Sequence, residues 1–281
     1  MQRTYRERRY HCGDYLEVAI YPVYRPAGSR RGRAKPTSEG QAKLNYINSQ
    51  KELVRLLNAN FTENDVEVHL TYRDEHLPDT KEEADRLLRN YLRRLKRRYT
   101  KLGIELKYIY VTEGTGFSET NADSGASAGA FGGSKRGDGK RFHHHVTLSG
   151  GLDRDELEAL WGFGYANSRR LIFNENGVEG LARYITKQMK EEIEKGKRSF
   201  SCSKNLYHPE PIDRDGRFSH KTMKVMCERP SDGACVLEAI FDGYEAAEVK
   251  SFYNDCNGGV YIYARLYRKD AGFLKKLKKR K

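Results

Sequence analysis

One segment, residues 141–148, constrains the fold more than any other part of the chain. It reads Arg-Phe-His-His-His-Val-Thr-Leu, and its polar and apolar side chains alternate, which predicts a β-strand. Because side chains two apart in a strand share a face, His143 and His145 should lie side by side. Adjacent imidazoles can chelate a divalent cation, although a surface cluster without a metal is the alternative. His144 falls on the opposite, apolar face, where a hydrogen-bonded core histidine is more typical than a ligand.

The order of the other elements predicts the type of sheet around this strand. Thr80, followed by Glu83, has the spacing of a capping box and predicts the start of a long amphipathic helix. The same reasoning predicts a short helix that begins after Asp153. The remaining patterns predict strands at residues 66–72, 104–113 and 166–173 and a helix over residues 177–195. This β-α-β-β-α-β-α order predicts an α+β fold of the split βαβ (ferredoxin- or RRM-like) type, with a central antiparallel sheet and helices on its faces.

The two ends of the chain differ from this central part. Residues 1–60 form a basic N-terminal extension in which one strand and one helix are predicted. Residues 211–281 are rich in turns and carry one strong strand pattern, at residues 259–268. We therefore expect a central domain over residues 61–210, followed by a smaller appended region.

The charge balance indicates the kind of partner. Lys and Arg number 52 against 39 Asp and Glu, a net charge of +13, and basic runs occur at residues 93–98 and 274–281. A strongly basic chain favours a polyanion such as nucleic acid, although surface charge also simply promotes solubility. No apolar run is long enough to cross a membrane, and the five cysteines have no metal-binding or disulfide spacing. We expect a soluble intracellular protein with free thiols and no membrane partner.

A catalytic cation at His143 and His145 needs a further ligand. Glu113 ends the strand before the histidine strand, and the two strands should form a hairpin, so their ends can be neighbours. A carboxylate with two imidazoles would hold Mg²⁺ or Mn²⁺ and leave positions open for phosphate oxygens. His69 and Glu67, on the first strand of the sheet, are weaker candidates for the same role. The alternative for Glu113 is a solvated strand end.

A tyrosine and a lysine about one turn apart lie in the helix predicted over residues 177–195. Tyr184 falls beside the apolar stripe of that helix, and Lys187 is adjacent to it. A phenol becomes an effective nucleophile when it is deprotonated or faces a polarised phosphorus. A lysine can neutralise charge that develops on a phosphate. The alternative is that Tyr184 packs at the helix edge and Lys187 is solvated.

Taken together, these motifs resemble those of the HUH endonuclease superfamily, which includes rolling-circle replication initiators, relaxases and single-tyrosine transposases. Residues 68–72 resemble its first motif, residues 141–148 its histidine motif, and Tyr184-x-x-Lys187 its tyrosine motif. Trp161-Gly before a strand and Ala182-Arg-Tyr-Ile-Thr-Lys resemble more closely the replication initiators of small phages and related bacterial elements. The resemblance covers roughly residues 60–210.

The resemblance implies that the central domain is a single-tyrosine, HUH-type nuclease that nicks and rejoins single-stranded DNA. In this scheme Tyr184 forms a 5′-phosphotyrosyl link, Lys187 assists it, and the histidine pair holds Mn²⁺ or Mg²⁺ with Glu113 or His69 as third ligand. The free 3′ end would prime rolling-circle replication from a single-stranded or hairpin origin, with a host helicase and polymerase, in the cytoplasm of a bacterial host. Three further residues within the motifs are expected to contact DNA: Arg141, Thr71 and Arg183.

Two other functions are compatible with the same sequence. The first is a non-catalytic protein that binds single-stranded nucleic acid on the same fold, since the positive charge supports both binding and catalysis. The second keeps the chemistry but uses it for transposition or transfer, as in a transposase or relaxase. Only the histidine pair and the Tyr184/Lys187 pair favour an enzyme over a binding protein.

Overall fold

A computed structural model describes residues 4–23, 39–114, 140–173, 178, 200–255 and 258–272. Its strands form two antiparallel five-stranded sheets, so the α+β fold class is confirmed. The chain divides into two compact units, and each contains one of the sheets. The elements in chain order are β1 (Thr4–Cys12), β2 (Tyr15–Val23), α1 (Glu39–Asn60), β3 (Val66–Thr71), a 3₁₀ turn (Asp74–His76), α2 (Lys81–Lys101), β4 (Tyr108–Glu113), β5 (His143–Leu148), α3 (Arg154–Ala159), β6 (Ala166–Arg170), β7 (Ser201–Cys202), β8 (Ile212–Asp215), α4 (His220–Glu228), α5 (Pro230–Ile240), β9 (Tyr244–Asn254) and β10 (Gly259–Arg268).

The central unit comprises Phe61–Leu171 and the described residues 200–206. Its sheet has the strand order β6-β3-β5-β4-β7, and neighbouring strands are antiparallel. Apart from the two-residue edge strand β7, this is the order of a split βαβ fold, in which the first strand lies between the third and the fourth. The predicted helix over residues 177–195 lies outside the described residues. The six elements predicted before it occur in the structure in the predicted order.

The longest helix of the central unit begins where the sequence predicts. The side chain of Thr80 accepts a 3.2 Å hydrogen bond from the backbone N–H of Glu83, which satisfies one of the free donors at the start of α2. Buried residues of α2 pack with those of β3 and β5 in one apolar core that also contains Trp161. The core covers one face of the sheet. The alternate residues of β3 and β5 therefore project from the opposite face, which positions the candidate site.

The flanking unit contains the segments up to Asn60 and from Tyr207 onward. Its strand order is β8-β1-β2-β10-β9, and α4 and α5 supply buried residues to a core with β2 and β10. Strand β10 has the predicted bounds, but its partner β2 comes from the other end of the chain. Residues 1–60 and 211–281, which we expect from the sequence to be separate flanks, thus contribute to one sheet. Strand patterns do not show which strands pair, so the sequence did not reveal this joining.

Two expectations from composition can be compared with the described part of the chain. No helix there combines the length and apolarity needed to span a membrane. Four cysteines are free thiols: Cys12, Cys202, Cys227 and Cys235. Burial raises the pKa of the Cys12 thiol to about 12, so this thiol is protonated and unreactive at neutral pH.

Candidate metal centre

The pairing register of three strands brings the candidate ligands together. His69 lies opposite His145 and Thr71 opposite His143 in the β3–β5 pair. In the neighbouring β4–β5 pair, Glu113 lies opposite His143. Because residues directly opposite each other in an antiparallel pair share a face, these side chains project from the same side of the sheet. That side is the one opposite the apolar core.

His69, His143 and His145 form a cluster that could hold a metal ion. One ring nitrogen of each histidine lies within 4.8 Å of the corresponding nitrogens of the other two. The ring centroids of His69 and His145 are 4.7 Å apart, and those of His69 and His143 are 5.3 Å apart. His145 is buried, whereas His143 and His69 are each partly exposed. The cluster is therefore open to solvent on one side, which leaves room for a substrate oxygen beside a bound ion.

His69 is electrically neutral at neutral pH. Partial burial, followed by the effect of the nearby His145 and His143 rings, lowers the pKa of His69 to about 4. A neutral imidazole has the free electron pair that a metal requires. Because one nitrogen of each ring lies within 4.8 Å of the other two, a single cation could accept an electron pair from all three rings.

The surroundings of His143 orient its ring for a metal. Nδ1 of His143 lies 3.2 Å from the backbone carbonyl oxygen of Arg141, which can only accept a hydrogen bond, so Nδ1 carries a proton. Nε2 of the same ring lies 3.1 Å from Oε2 of Glu113. Glu113 is buried, and its other oxygen, Oε1, has no hydrogen-bond partner within the described residues. An ion at Nε2 of His143 would also face this carboxylate, so the donor set fits a cation with nitrogen and oxygen ligands.

A second buried carboxylate faces His145. Oε2 of Glu67 accepts a 2.8 Å hydrogen bond from Nε of Arg169, and Oε1 of Glu67 lies 3.8 Å from Nδ1 of His145. Burial alone would raise the pKa of the Glu67 carboxyl, but the nearby His145 ring and the hydrogen bond from Arg169 outweigh burial and hold that pKa below its ordinary value. Glu67 is therefore ionised. A carboxylate next to a metal-ligating histidine typically fixes the orientation of the histidine ring.

His144 points into the core, as its position in the alternating strand predicts. It is fully buried. Its Nε2 lies 2.6 Å from the Tyr72 hydroxyl and its Nδ1 lies 2.9 Å from Oγ1 of Thr112, which donates a 2.6 Å hydrogen bond to Asp85. Because the Thr112 proton is directed at Asp85, Nδ1 of His144 donates to Thr112 and Nε2 accepts from Tyr72. Burial lowers the pKa of His144 to about 3, so this ring is a neutral structural group and not a ligand.

Two residues predicted to contact DNA lie beside the cluster. Arg141 is exposed; it donates a 2.6 Å hydrogen bond to Asp74 and a 2.8 Å bond to the backbone carbonyl of Tyr72. The Thr71 hydroxyl donates a 3.3 Å hydrogen bond to the carbonyl oxygen of Tyr165. Both residues are therefore held in place near the face of the sheet that carries the histidine cluster. The other predicted residues lie outside the part of the chain that the structure describes: Tyr184, Lys187 and Arg183.

Sequence pattern alone makes His69 a weaker candidate than Glu113 for the third ligand. The structure brings His69 into the cluster with His143 and His145 and places Glu113 against His143. The signal was present in the sequence, because Glu67, His69 and Thr71 alternate on the polar face of a predicted strand. Periodicity shows which face of a strand a residue lies on, but not which residue lies opposite on the neighbouring strand. The third ligand beside His143 and His145 therefore cannot be chosen from the sequence.

Comparisons with known proteins add no family assignment. No family model matches the sequence, and searches of curated proteins and of solved structures give no match either. The functional interpretation therefore depends on the geometry of the histidine cluster and on the sequence motifs.

Proposed function

We propose that this protein nicks and rejoins single-stranded DNA through a 5′-phosphotyrosyl intermediate and thereby initiates rolling-circle replication. The observation that carries the proposal is the cluster of His69, His143 and His145, whose ring nitrogens lie within 4.8 Å of one another. The sequence supplies a second part, the tyrosine and lysine of Tyr184-Ile-Thr-Lys187. The net charge of +13 supports a polyanionic substrate.

The proposed reaction is a transesterification. The phenolate oxygen of Tyr184 attacks the phosphorus of a phosphodiester, a bond forms between that oxygen and phosphorus, and the bond from phosphorus to the 3′ oxygen breaks. The departing 3′ oxygen takes up a proton and becomes a free hydroxyl. Because the tyrosyl link is itself a phosphodiester, the hydroxyl can attack it and rejoin the strand without ATP. Lys187 would neutralise charge that develops on the phosphate.

A bound divalent cation would supply polarisation and orientation of the scissile phosphate. The three histidines of the cluster would hold it, and Glu113 would add an oxygen ligand. Mg²⁺ strongly prefers oxygen ligands, whereas first-row transition metals accept several imidazoles. We therefore propose Mn²⁺ over Mg²⁺ as the bound cation.

The biological setting that we propose follows from this chemistry. The substrate would be a single-stranded or hairpin origin, and the 3′-hydroxyl produced by nicking would prime a host polymerase. The sequence contains no G-x-x-x-x-G-K-[ST] phosphate loop, so we assign strand separation to a host helicase. The reaction would take place in the cytoplasm of a bacterial host.

An adduct assay tests this function. The protein is incubated with a library of labelled single-stranded oligonucleotides, some with hairpins, in Mn²⁺, and the products are separated under denaturing conditions. We expect a protein–DNA band that resists denaturation, requires the metal and disappears in the Tyr184→Phe variant. Tyr207→Phe serves as the matched control, because Tyr207 is an exposed tyrosine of the flanking unit, and this variant should form the band normally.

Two results would argue against the proposal. Binding of oligonucleotides without any adduct, across a range of metals and sequences, would favour the non-catalytic binding protein. An adduct that persists in Tyr184→Phe would show that another group is the nucleophile.

A further inference from the structure

An exposed tyrosine lies at the edge of the sheet face that carries the histidine cluster. Tyr165 immediately precedes the edge strand β6 and is 69% exposed. Its carbonyl oxygen accepts a 2.8 Å hydrogen bond from the backbone N–H of Thr71, which extends the β3–β6 pairing by one residue. The next residue, Ala166, packs against the core, so alternation directs the Tyr165 side chain to the opposite face, where the histidine cluster lies.

Tyr165 is close to the cluster along the sheet. Asn167, two residues further on, is paired with His69. Two residues of a strand span about 7 Å. Tyr165 therefore lies about 7 Å along β6 from Asn167, the residue opposite His69. A single strand of DNA with a phosphate at the cluster would therefore pass beside Tyr165.

The backbone that carries Tyr165 is firmly held. The backbone N–H of Arg73 donates a 3.0 Å hydrogen bond to the carbonyl of Phe163, and the Trp161 indole donates a 2.7 Å bond to the carbonyl of Thr71. Gly164 packs so closely on β3 that a Cβ there would lie 2.7 Å from the backbone nitrogen of Arg73. An exposed aromatic ring on such a fixed backbone is preorganised, so binding a base against it costs little ordering.

A cationic group accompanies the ring. The Arg73 guanidinium carbon lies 5.6 Å from the centroid of the Tyr165 ring, within the range of a cation–π contact. Arg73 is itself exposed. An aromatic face next to an arginine is the combination that binds single-stranded nucleic acid, because the ring stacks on a base and the guanidinium pairs with a phosphate.

We propose that Tyr165 and Arg73 form a nucleotide-binding subsite that holds single-stranded DNA next to the cleavage position. The inference rests on the proposed function, since that function supplies the DNA strand at the histidine cluster. Tyr165 stacks on an unpaired base, and Arg73 contacts the adjoining phosphate. The stacking tolerates any base, so the subsite positions the strand and does not read its sequence.

Binding measured without catalysis tests the subsite. The full-length protein carrying Tyr184→Phe is titrated, with EDTA present, into a labelled single-stranded oligothymidylate, and fluorescence anisotropy reports the affinity. Adding Tyr165→Ala should weaken binding roughly 5- to 150-fold, the effect of losing one base–aromatic stack. Tyr165→Phe should bind with unchanged affinity, because the ring and not the hydroxyl makes the stack. Arg73→Gln should make the plot of log affinity against log salt concentration less steep, by the contribution of about one phosphate contact.

The matched control is Tyr207→Ala, which removes another exposed tyrosine, one that lies in the flanking unit. This variant should bind the oligonucleotide as the parent protein does.

The subsite is contradicted if Tyr165→Ala binds with unchanged affinity, as it would if Tyr165 and Arg73 contacted a protein partner instead. It is also contradicted if Tyr165→Phe loses as much affinity as Tyr165→Ala, if Tyr207→Ala loses as much, or if the parent protein does not bind the oligonucleotide. The adduct assay is scored separately, so a failed subsite with a normal Tyr184-dependent adduct leaves the proposed function intact.

Discussion

The hydroxyl of Tyr72 donates a 2.6 Å hydrogen bond to Nε2 of His144 on the core side of the central sheet. The neighbours of His144 in the strand, His143 and His145, face the other side and cluster with His69. Three consecutive histidines therefore have two different roles. The outer two belong to the candidate metal centre. The middle one ties β5 to the residue that follows β3 and so supports the register that brings His69 opposite His145.

Replacing His144 by leucine should reduce the sensitivity of the fold to acid. Burial lowers the pKa of His144 from 6.5 to about 3. Between these values an unfolded chain binds a proton that the folded protein does not bind. The stability contributed by neutral His144 is therefore complete above about pH 6.5 and is lost as the pH falls toward about 3. The free energy of unfolding of His144→Leu should consequently fall less steeply with decreasing pH than that of the wild type.

Urea denaturation of both proteins across this pH range measures the difference. The slope should be reduced in His144→Leu but not abolished, because His69 also has a lowered pKa, about 4, and contributes in the same direction. At neutral pH the leucine variant should be less stable by about 1–2 kcal/mol, since the hydrogen bonds of His144 are lost. Equal pH slopes in the two proteins would contradict the buried neutral state of His144.

Removing the Tyr72 hydroxyl should destabilise the central unit. Tyr72→Phe leaves Nε2 of His144 buried without its donor, and an unsatisfied buried acceptor costs about 1–3 kcal/mol. Urea unfolding at neutral pH gives the loss in the free energy of unfolding. Tyr165→Phe is the matched control in the same unit, because its side chain is 69% exposed, and it should change stability little. A Tyr72→Phe protein as stable as this control would show that the hydrogen bond has no net effect.

Calorimetric titration with Mn²⁺ tests which residue is the third ligand of the candidate metal centre. His69→Ala should lose most of the metal affinity, because it removes one of the three clustered ring nitrogens. Glu113→Gln should weaken binding about 10- to 100-fold, because it replaces the proposed carboxylate ligand with a neutral amide. His76→Ala, which removes an exposed histidine outside the cluster, is the control and should bind normally. Normal Mn²⁺ binding by His69→Ala would exclude His69 from the site.

Features that depend on local sequence pattern, such as strand faces and helix starts, could be predicted from the sequence. The alternation of residues 141–148 gave the faces of His143, His144 and His145, and the Thr80–Glu83 spacing gave the start of α2. These predictions succeeded because side-chain direction and helix capping are set by neighbours in the chain.

Features that depend on the pairing of strands far apart in the chain could not be predicted from the sequence. The partner of His145 on β3 is fixed by the register of two strands about 75 residues apart in the chain. The joining of β2 and β10 in one sheet is likewise a contact between the two ends of the chain. Tyr165 shows the same limit, because its place on the same face as the histidine cluster follows from the pairing of β6 with β3. Tyr184 and Lys187 rest on motif and spacing alone.

The most direct test of the central claim is the identity of the residue that becomes linked to DNA. The adduct formed in Mn²⁺ is digested with protease and nuclease, and the modified peptide is sequenced by mass spectrometry. We expect a nucleotide attached through its 5′-phosphate to the hydroxyl of Tyr184, and a free 3′-hydroxyl on the released strand. Attachment to another residue, or no covalent product from protein whose histidine cluster binds Mn²⁺, would contradict it.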